Sequence, residues 1–327
     1  MELSGIHHVT AISGSGPVNL AFYTQVLGLR LVKKTVNQDV PSTYHLFYGD
    51  DAGNPGTEMT FFEWPDAGPH SPGFGDVADV SFVVPDRRAL EWWTERFDAE
   101  GVEHHPIEER AGREVLRFAD REGQRLELVV GRRDDTTPWH ASPIPAEFAI
   151  RGFAAVTLVV NRLDPTVHIL VDMLGFRQRG EYTSTSGQHV LLFETGEGGL
   201  GTEVHVMEET TGRRAHQGIG GVHHVAFRVP DDVEHKQWQE KLAGHGLAAT
   251  PVIDRYYFKS IYFREPGGVL FELATDGPGF TADEDIEHLG EHLSLPPFLE
   301  PQRAQIEAVL PPLATKPELA VSHAQSS

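Results

Sequence analysis

The sequence predicts an α+β fold in which four β-α-β-β-β modules close into two half-barrel domains, followed by a C-terminal arm. Three observations carry that expectation. The chain repeats itself at an offset of about 145 residues, each copy divides into two shorter units of one plan, and the strands alternate apolar and polar residues with period 2.

The repeat is read from matched phrases. "YTQVLGLRLV" (23–32) resembles "LVDMLGFRQR" (170–179), which sets Gly28 opposite Gly175 at an offset of 147. "NPGTEMTFFE" matches "GLGTEVHVME", and "ADVSFVVPD" (78–86) matches "HHVAFRVPD" (223–231), both at an offset of 145. "QRLELVV" and "GVLFELAT" align Glu127 with Glu272, again 145 apart.

Module one reads as the strand "HHVTAI", the helix "VNLAFYTQVLG" and the strands "STYHLFYGD" and "GTEMTFFEW". Module two runs from "VADVSFVV" through the helical "RRALEWWTERFDAEG" to "QRLELVV". Module three runs from "FAAVTLVV" through "DPTVHILVDMLG" to "TEVHVME". Module four runs from "VHHVAFRV" through "DVEHKQWQEKLAGHG" to "SIYFRE" and "GVLFELA". One module is too small to bury its own sheet face, so modules must share cores in pairs. The expected units are a first domain at 1–135, a second at 149–277 and an arm at 278–327 containing "PPFLEPQRAQIEAVLPPL". The stretch "GRRDDTTPWHASPIPAEF" (131–148) is the link between halves.

Composition narrows the function. A length of 327 residues with 39% hydrophobic content suffices for a core in each half. The longest apolar runs, such as "VSFVV", are strand-sized, so no membrane span is expected. No export signal is visible at "MELSGIHHVT", which makes the cytoplasm the expected location. A net charge of −21 repels phosphate backbones and acidic bilayers, which argues against nucleic acid as a partner. Without cysteine, any metal must be held by histidine and carboxylate. A sheet edge or the arm would suit a homo-oligomer.

Two paired-histidine phrases, "GIHHVTA" and "GVHHVAF", occupy the first strands of modules one and four. Neighbouring side chains on a strand point to opposite faces, so only one histidine of each pair looks into the cup. His223 shares a face with Val225, Phe227 and Val229, which suits packing under the helices. His224 therefore takes the lumen, as does His8 with Thr10. Glu272 alternates with Phe271 and Leu273 and can face the same lumen. Two histidines and one carboxylate, with open positions opposite, form the usual donor set of mononuclear non-haem Fe(II) sites; Mn(II) also fits.

The repeat register sharpens this. Where module one has His8, module three has Ala155; where module four has His224, module two has Asp79. The sequence thus predicts that module one pairs with module four and brings His8, His224 and Glu272 together. If module one paired with module two instead, the set would be His8, Asp79 and Glu127. The remaining histidines suit plainer roles. His288 and His292 fit a solvated helix face, His104 and His105 a turn after a helix, and His205 core packing.

At these residues, and in "FYTQVLGLRLVKKTVNQD", "YHLFYGDDAGNPGTEMTFF", "PVIDRYYFKSIYFREPGGVLFELATD" and "LPPFLEPQR", the sequence resembles the vicinal oxygen chelate superfamily. Within it, the resemblance is to the hydroquinone ring-cleaving dioxygenases, often labelled glyoxalase-like. The resemblance implies iron held by His8, His224 and Glu272, and catalytic second-sphere groups at His7, Thr10, His223, Arg255 and Tyr262. It also implies a small aromatic substrate and O₂, opened in extradiol fashion between a hydroxylated carbon and its neighbour. Arg255 or Tyr262 would hydrogen-bond a developing oxyanion, and a nearby histidine would carry a proton. The strand phase sends His7 and His223 outward, so their place near substrate requires a twist or bulge. Arg255 equally suits a surface ion pair, and Tyr262 a core role. Two alternatives remain: a lactoylglutathione-lyase-like isomerase, which needs a fourth carboxylate near Thr60, Phe61, Glu58 or Glu63, and a metal-free binding protein of the same fold.

Overall fold

The computed structural model describes residues 1–314, so the last part of the expected arm, 315–327, lies outside the described residues. Each module contributes four strands. Module one supplies β1 (Ile6–Ser13), β2 (Arg30–Val36), β3 (Tyr44–Gly49) and β4 (Glu58–Glu63); module two supplies β5 (Asp76–Val84), β6 (Glu108–Arg110), β7 (Arg113–Ala119) and β8 (Arg125–Val130). Module three supplies β9 (Phe153–Val160), β10 (Arg177–Thr183), β11 (His189–Glu194) and β12 (Glu203–Glu208); module four supplies β13 (Val222–Val229), β14 (Ile253–Asp254), β15 (Lys259–Arg264) and β16 (Leu270–Thr275).

In every module a helix follows the first strand. Those of modules two and four, α2 (Arg87–Glu100) and α4 (Asp232–Gly244), start on the "VPD" phrases the repeat aligned. Asp86 caps the Ala89 N–H, and Asp231 caps those of Val233 and Glu234, which satisfies donors a helix start leaves open. In modules one and three, α1 (Gly16–Ala21) and α3 (Leu163–His168) run on into single wider π turns at Phe22–Val26 and Ile169–Met173. Gly28 and Gly175, matched by the repeat, follow these turns at φ 71° and 78°, where a side chain would be strained.

Two eight-stranded curled sheets result. The first runs β14-β15-β16-β13-β1-β4-β3-β2 and the second β10-β11-β12-β9-β5-β8-β7-β6. Module one therefore pairs with module four, through an antiparallel β1–β13 seam, and module two pairs with module three through β5–β9. Each sheet draws one module from each half of the duplicated sequence. Asp79 and Glu127 consequently lie in the other sheet from His8, which overturns the alternative ligand set.

One contiguous apolar core reaches all four modules, with Val9, Val80, Val156 and Phe227 buried under the strands and Trp93 and Trp238 under the helices. Val225, Phe227 and Val229 are all buried, as their strand phase predicted. The arm lies along β2, the edge of the first sheet: the Ser294 N–H donates to the Lys34 carbonyl at 2.9 Å, and Tyr44 Oη donates to the Pro311 carbonyl at 2.9 Å. Lys33 anchors it. This fully buried ammonium bonds Asp283 at 2.7 Å, Glu284 and the Phe280 carbonyl. Around His288 the arm makes only a short 3₁₀ turn, Ile286–His288, so the helix face expected for His288 and His292 does not form. Among the described residues no helix is long and apolar enough to cross a membrane.

Candidate metal centre

The seam between β1 and β13 holds the histidines. Its register jumps twice: Ile6 faces Phe227 and His8 faces Ala226, while Thr10 faces His224 and Ala11 faces Val222. The residues skipped are His7 and His223. Two bulges therefore sit beside the two inward-facing histidines, turning the strands locally where simple alternation would have sent His7 and His223 away.

His8 Nε2 and His224 Nε2 lie 3.3 Å apart, and Glu272 Oε2 is 3.2 Å from the first and 2.8 Å from the second. All three side chains are buried. β16 places Glu272 beside Ala226 of β13, and the Ser260 hydroxyl of β15 fixes its other oxygen at 2.5 Å. Each inward histidine is backed through its Nδ1 by its neighbour: His8 Nδ1 is 3.0 Å from His7 Nδ1, and His224 Nδ1 is 2.8 Å from His223 Nδ1. His7 Nε2 then donates to the Thr275 carbonyl at 3.1 Å. With an ion on each Nε2, each ligand's Nδ1–H donates backward, an arrangement that fixes tautomer and ring orientation.

The electrostatics fit a cation. Burial pushes the His8 imidazole down to about 4, so it is neutral and offers a lone pair. Burial alone would raise Glu272, but the adjacent His8 and His224 outweigh it and hold the carboxyl well below its usual range. Glu272 Oε2 nonetheless has no hydrogen-bond donor among the described residues. A buried carboxylate facing two imidazoles, of which His8 is held neutral, with no arginine or lysine against it among the described residues, sits where a cation would complete it.

A second grouping, His7, His8 and Glu58, shares one histidine. Glu58 Oε2 is 3.4 Å from His7 Nδ1, and burial raises its carboxyl, with His7 opposing. Neither His7 nor Glu58 lines the pocket onto which His8 and His224 open. Across the seam from Glu272, the equivalent register position on β4 is Thr60, whose hydroxyl bonds Thr10 at 2.8 Å and His45 at 2.9 Å. The fourth carboxylate that an isomerase needs is absent from that position.

The pocket beside His8 and His224 is narrow, about 40 Å³, and lined by Phe47, Phe62 and Phe258. Of the five second-sphere residues implied by resemblance, Arg255 and Tyr262 reach it. Tyr262 stands edge-on to His224, with ring centroids 5.6 Å apart, and Arg255 covers the Tyr262 ring at 5.6 Å while pairing with Asp39 at 2.9 Å. Burial, reinforced by Glu272, raises the Tyr262 hydroxyl, which stays a proton donor at neutral pH. His7 and His223 sit behind His8 and His224, and Thr10 is fully buried against Thr60. Sequence reasoning missed His45. It lines the pocket from β3, and burial, with His8 and His224 adding to it, keeps it neutral. Its signal was present in "YHLFYG", where Tyr44, Leu46 and Tyr48 claim the core face and leave His45 and Phe47 for the lumen.

The second sheet repeats this architecture with different chemistry. Glu127, the counterpart of Glu272, accepts two bonds from Arg110, at 2.6 and 2.5 Å, and one from Ser81 at 2.6 Å. Asp79 stands where His224 stands and pairs with Arg125 at 3.5 Å. His205 is held by the Tyr182 hydroxyl at 3.0 Å and by Glu203 at 3.5 Å.

Comparison with known proteins agrees with this architecture. The model of the Glyoxalase/Bleomycin resistance protein/Dioxygenase superfamily matches residues 5–128 and 152–273, one match in each half. The chain is 47% identical over 315 residues to the Bacillus subtilis (strain 168) protein named "Putative ring-cleaving dioxygenase MhqA", covering 96% of this chain and all of that one. It is 34% identical over 307 residues to the chlorohydroquinone/hydroquinone 1,2-dioxygenase of Sphingobium indicum, covering 91% and 93% of the two chains. A crystal structure of a "putative dioxygenase" from Bacillus subtilis superposes with a TM-score of 0.89 at 40% identity, over 96% of this chain and 99% of that one. Glyoxalase I from Zea mays, at 17% identity and a TM-score of 0.62 over 88% and 96% of the chains, shares the fold. With one family match in each half and relatives that align over nearly the whole length, the chain belongs to the Glyoxalase/Bleomycin resistance protein/Dioxygenase superfamily.

Proposed function

We propose that this protein is a metal-dependent dioxygenase that opens para-dihydroxylated aromatic rings with O₂, between a hydroxylated carbon and its neighbour. His8, His224 and Glu272 hold the ion, with Fe(II) the favoured metal and Mn(II) compatible with the same donors. One observation carries the reading: a buried carboxylate oxygen with no donor among the described residues, flanked at 3.2 and 2.8 Å by two imidazole nitrogens whose rings line an aromatic pocket. The relatives named as ring-cleaving and hydroquinone dioxygenases support it.

When bound, Fe(II) would lower the pKa of a coordinated phenol and supply electrons for O₂ activation. The chain's residues do the rest. Phe47, Phe62 and Phe258 sandwich an aromatic ring and exclude water. Tyr262 holds its proton and can donate it to a developing oxyanion, and Arg255 beside it contributes fixed positive charge. His7 and His223 keep the two imidazoles oriented.

The test is anaerobic purification, metal analysis and oxygen uptake with a panel of hydroquinones and catechols. One iron or manganese per chain with hydroquinone-dependent O₂ consumption is expected. Stoichiometric nickel or zinc with thiol-adduct turnover, or ligand binding without any metal, would overturn the proposal.

A further inference from the structure

We infer that Asp39 is a positioning residue: it holds the Arg255 guanidinium away from Glu272 and so keeps that carboxylate free for a metal ion. The inference rests on the reading of His8, His224 and Glu272 as a metal site, and adds a residue that governs its occupancy.

Arg255 and Arg110 hold one place in the two sheets, opposite each other at the repeat offset of 145. The strand pairing confirms it. Tyr262 faces Glu272 across β15 and β16, and Arg117 faces Glu127 across β7 and β8, at that same offset. Each arginine stands at the start of a tight turn: Arg110 pairs with Arg113, and the Arg255 N–H donates to the Phe258 carbonyl at 2.9 Å. The residue after each is left-handed, Ala111 at φ 51° and Tyr256 at φ 73°, and among the described residues no other non-glycine is. The backbone therefore presents both arginines in the same way.

Their side chains nevertheless find different partners. Arg110 turns into its cup and grips Glu127 at 2.6 and 2.5 Å. Arg255 lines the pocket with His8 and His224, yet it pairs with Asp39 at 2.9 Å, while Gln38 Nε2 donates to its carbonyl at 2.7 Å. Gln38 and Asp39 lie between β2 and β3 of module one. The matching stretch of module three, 184–188 between β10 and β11, reads Ser-Thr-Ser-Gly-Gln and offers no carboxylate. Without a rival anion, the arginine at this position takes the buried glutamate. A guanidinium on Glu272 and a cation held by Glu272, His8 and His224 exclude each other, because both draw on the same carboxylate.

The experiment is anaerobic titration of the metal-stripped protein with Fe(II) and with Mn(II), followed by calorimetry without substrate. Asp39 is largely exposed, so its replacement leaves the core untouched. Asp39→Ala is expected to weaken binding of both ions by roughly 5-fold, the worth of one partly exposed ion pair. Asp39→Glu, which keeps the charge, should restore the affinity. Once Arg255→Ala is in place, Asp39→Ala should have no further effect, because no guanidinium is left to compete. The same weakening in that background would mean that Asp39 acts on the ion through its own charge, and would overturn the proposal. Undiminished affinity in Asp39→Ala alone overturns it too. A wild-type protein that binds neither ion overturns the metal site itself, and the role of Asp39 with it.

Discussion

Glu272 and Glu127 occupy one position in two copies of one fold, and each is buried at the bottom of a curled sheet. Beneath the second sheet the chain supplies the compensating charge itself: Arg110 grips Glu127 with both nitrogens. Beneath the first, Glu272 meets two imidazoles, of which His8 is held neutral, and among the described residues no arginine or lysine pairs with it. The surroundings differ in the same sense. The first pocket is about 40 Å³ and walled by aromatic rings, whereas the second cavity is about 700 Å³ and lined by Asp79, Arg110, Arg117 and Tyr182. A duplicated module thus keeps its carboxylate while the groups beside it change from an arginine to a pair of histidines that could hold a metal ion.

The sharpest way to break this contrast is to exchange ligands on one side. His224→Ala is expected to remove the ion and reduce turnover by roughly a thousandfold or more, to the level of the uncoordinated pocket. Asp79→Ala, at the matching position, should leave metal content and turnover nearly intact. Metal analysis beside oxygen uptake decides it, and equal losses in the two variants would end the distinction between the sheets.

The arm gives the next largest effect, because only the first sheet has one. Lys33→Met leaves Asp283 and Glu284 without their buried partner and should cost about 3–5 kcal/mol in urea unfolding. Adding Asp283→Asn and Glu284→Gln removes the orphaned charges and should recover part of that loss. Pairs that contributed little would show no such recovery.

Acid should act on the two sheets with opposite sign. The buried His8 has a folded pKa of about 4, so below pH 6.5 the unfolded chain takes up a proton the folded one refuses. Stability falls as pH drops from 6.5 to 4, by about 3 kcal/mol from this group, while the folded imidazole keeps its lone pair available down to about pH 4. In the second sheet, burial first and then Glu127 raise Asp79 to about 6. Its ionisation opposes folding at neutral pH, and that cost is relieved as pH falls from 6 toward 3.8. The smallest expected effect follows: Asp79→Asn should stabilise the protein at pH 8 by about 1–2 kcal/mol, a modest gain because the site is partly exposed and near Arg125, and by less at pH 4, where Asp79 is already protonated. Chemical denaturation at both pH values reads the difference.

Much of this contrast was legible in the sequence, because it rests on periodicity. Matched phrases set the register, and the absence of histidine at Ala155 and Asp79 pointed to the pairing of modules one and four that the β1–β13 seam realises. What periodicity cannot carry is a bulge, which belongs to two strands jointly and depends on how they meet. That is why His7 and His223 were expected to point away, whereas each stands directly behind its neighbour. The same limit hid Asp39, which meets Arg255 only once modules one and four share a sheet. It hid Lys33 as well, since a lysine in a strand reads as solvated until two carboxylates 250 and 251 residues away are seen against it.

The seam has a consequence for how the molecule is made. His8 belongs to the first strand of the duplicated region and Glu272 to its last, so the two ends of that region must find each other before the donor set exists. Bringing such distant segments together is entropically slow, and a nascent or truncated chain that stops short of β16 has nowhere to seat an ion. Assembly of the donor set therefore marks completion of the first sheet.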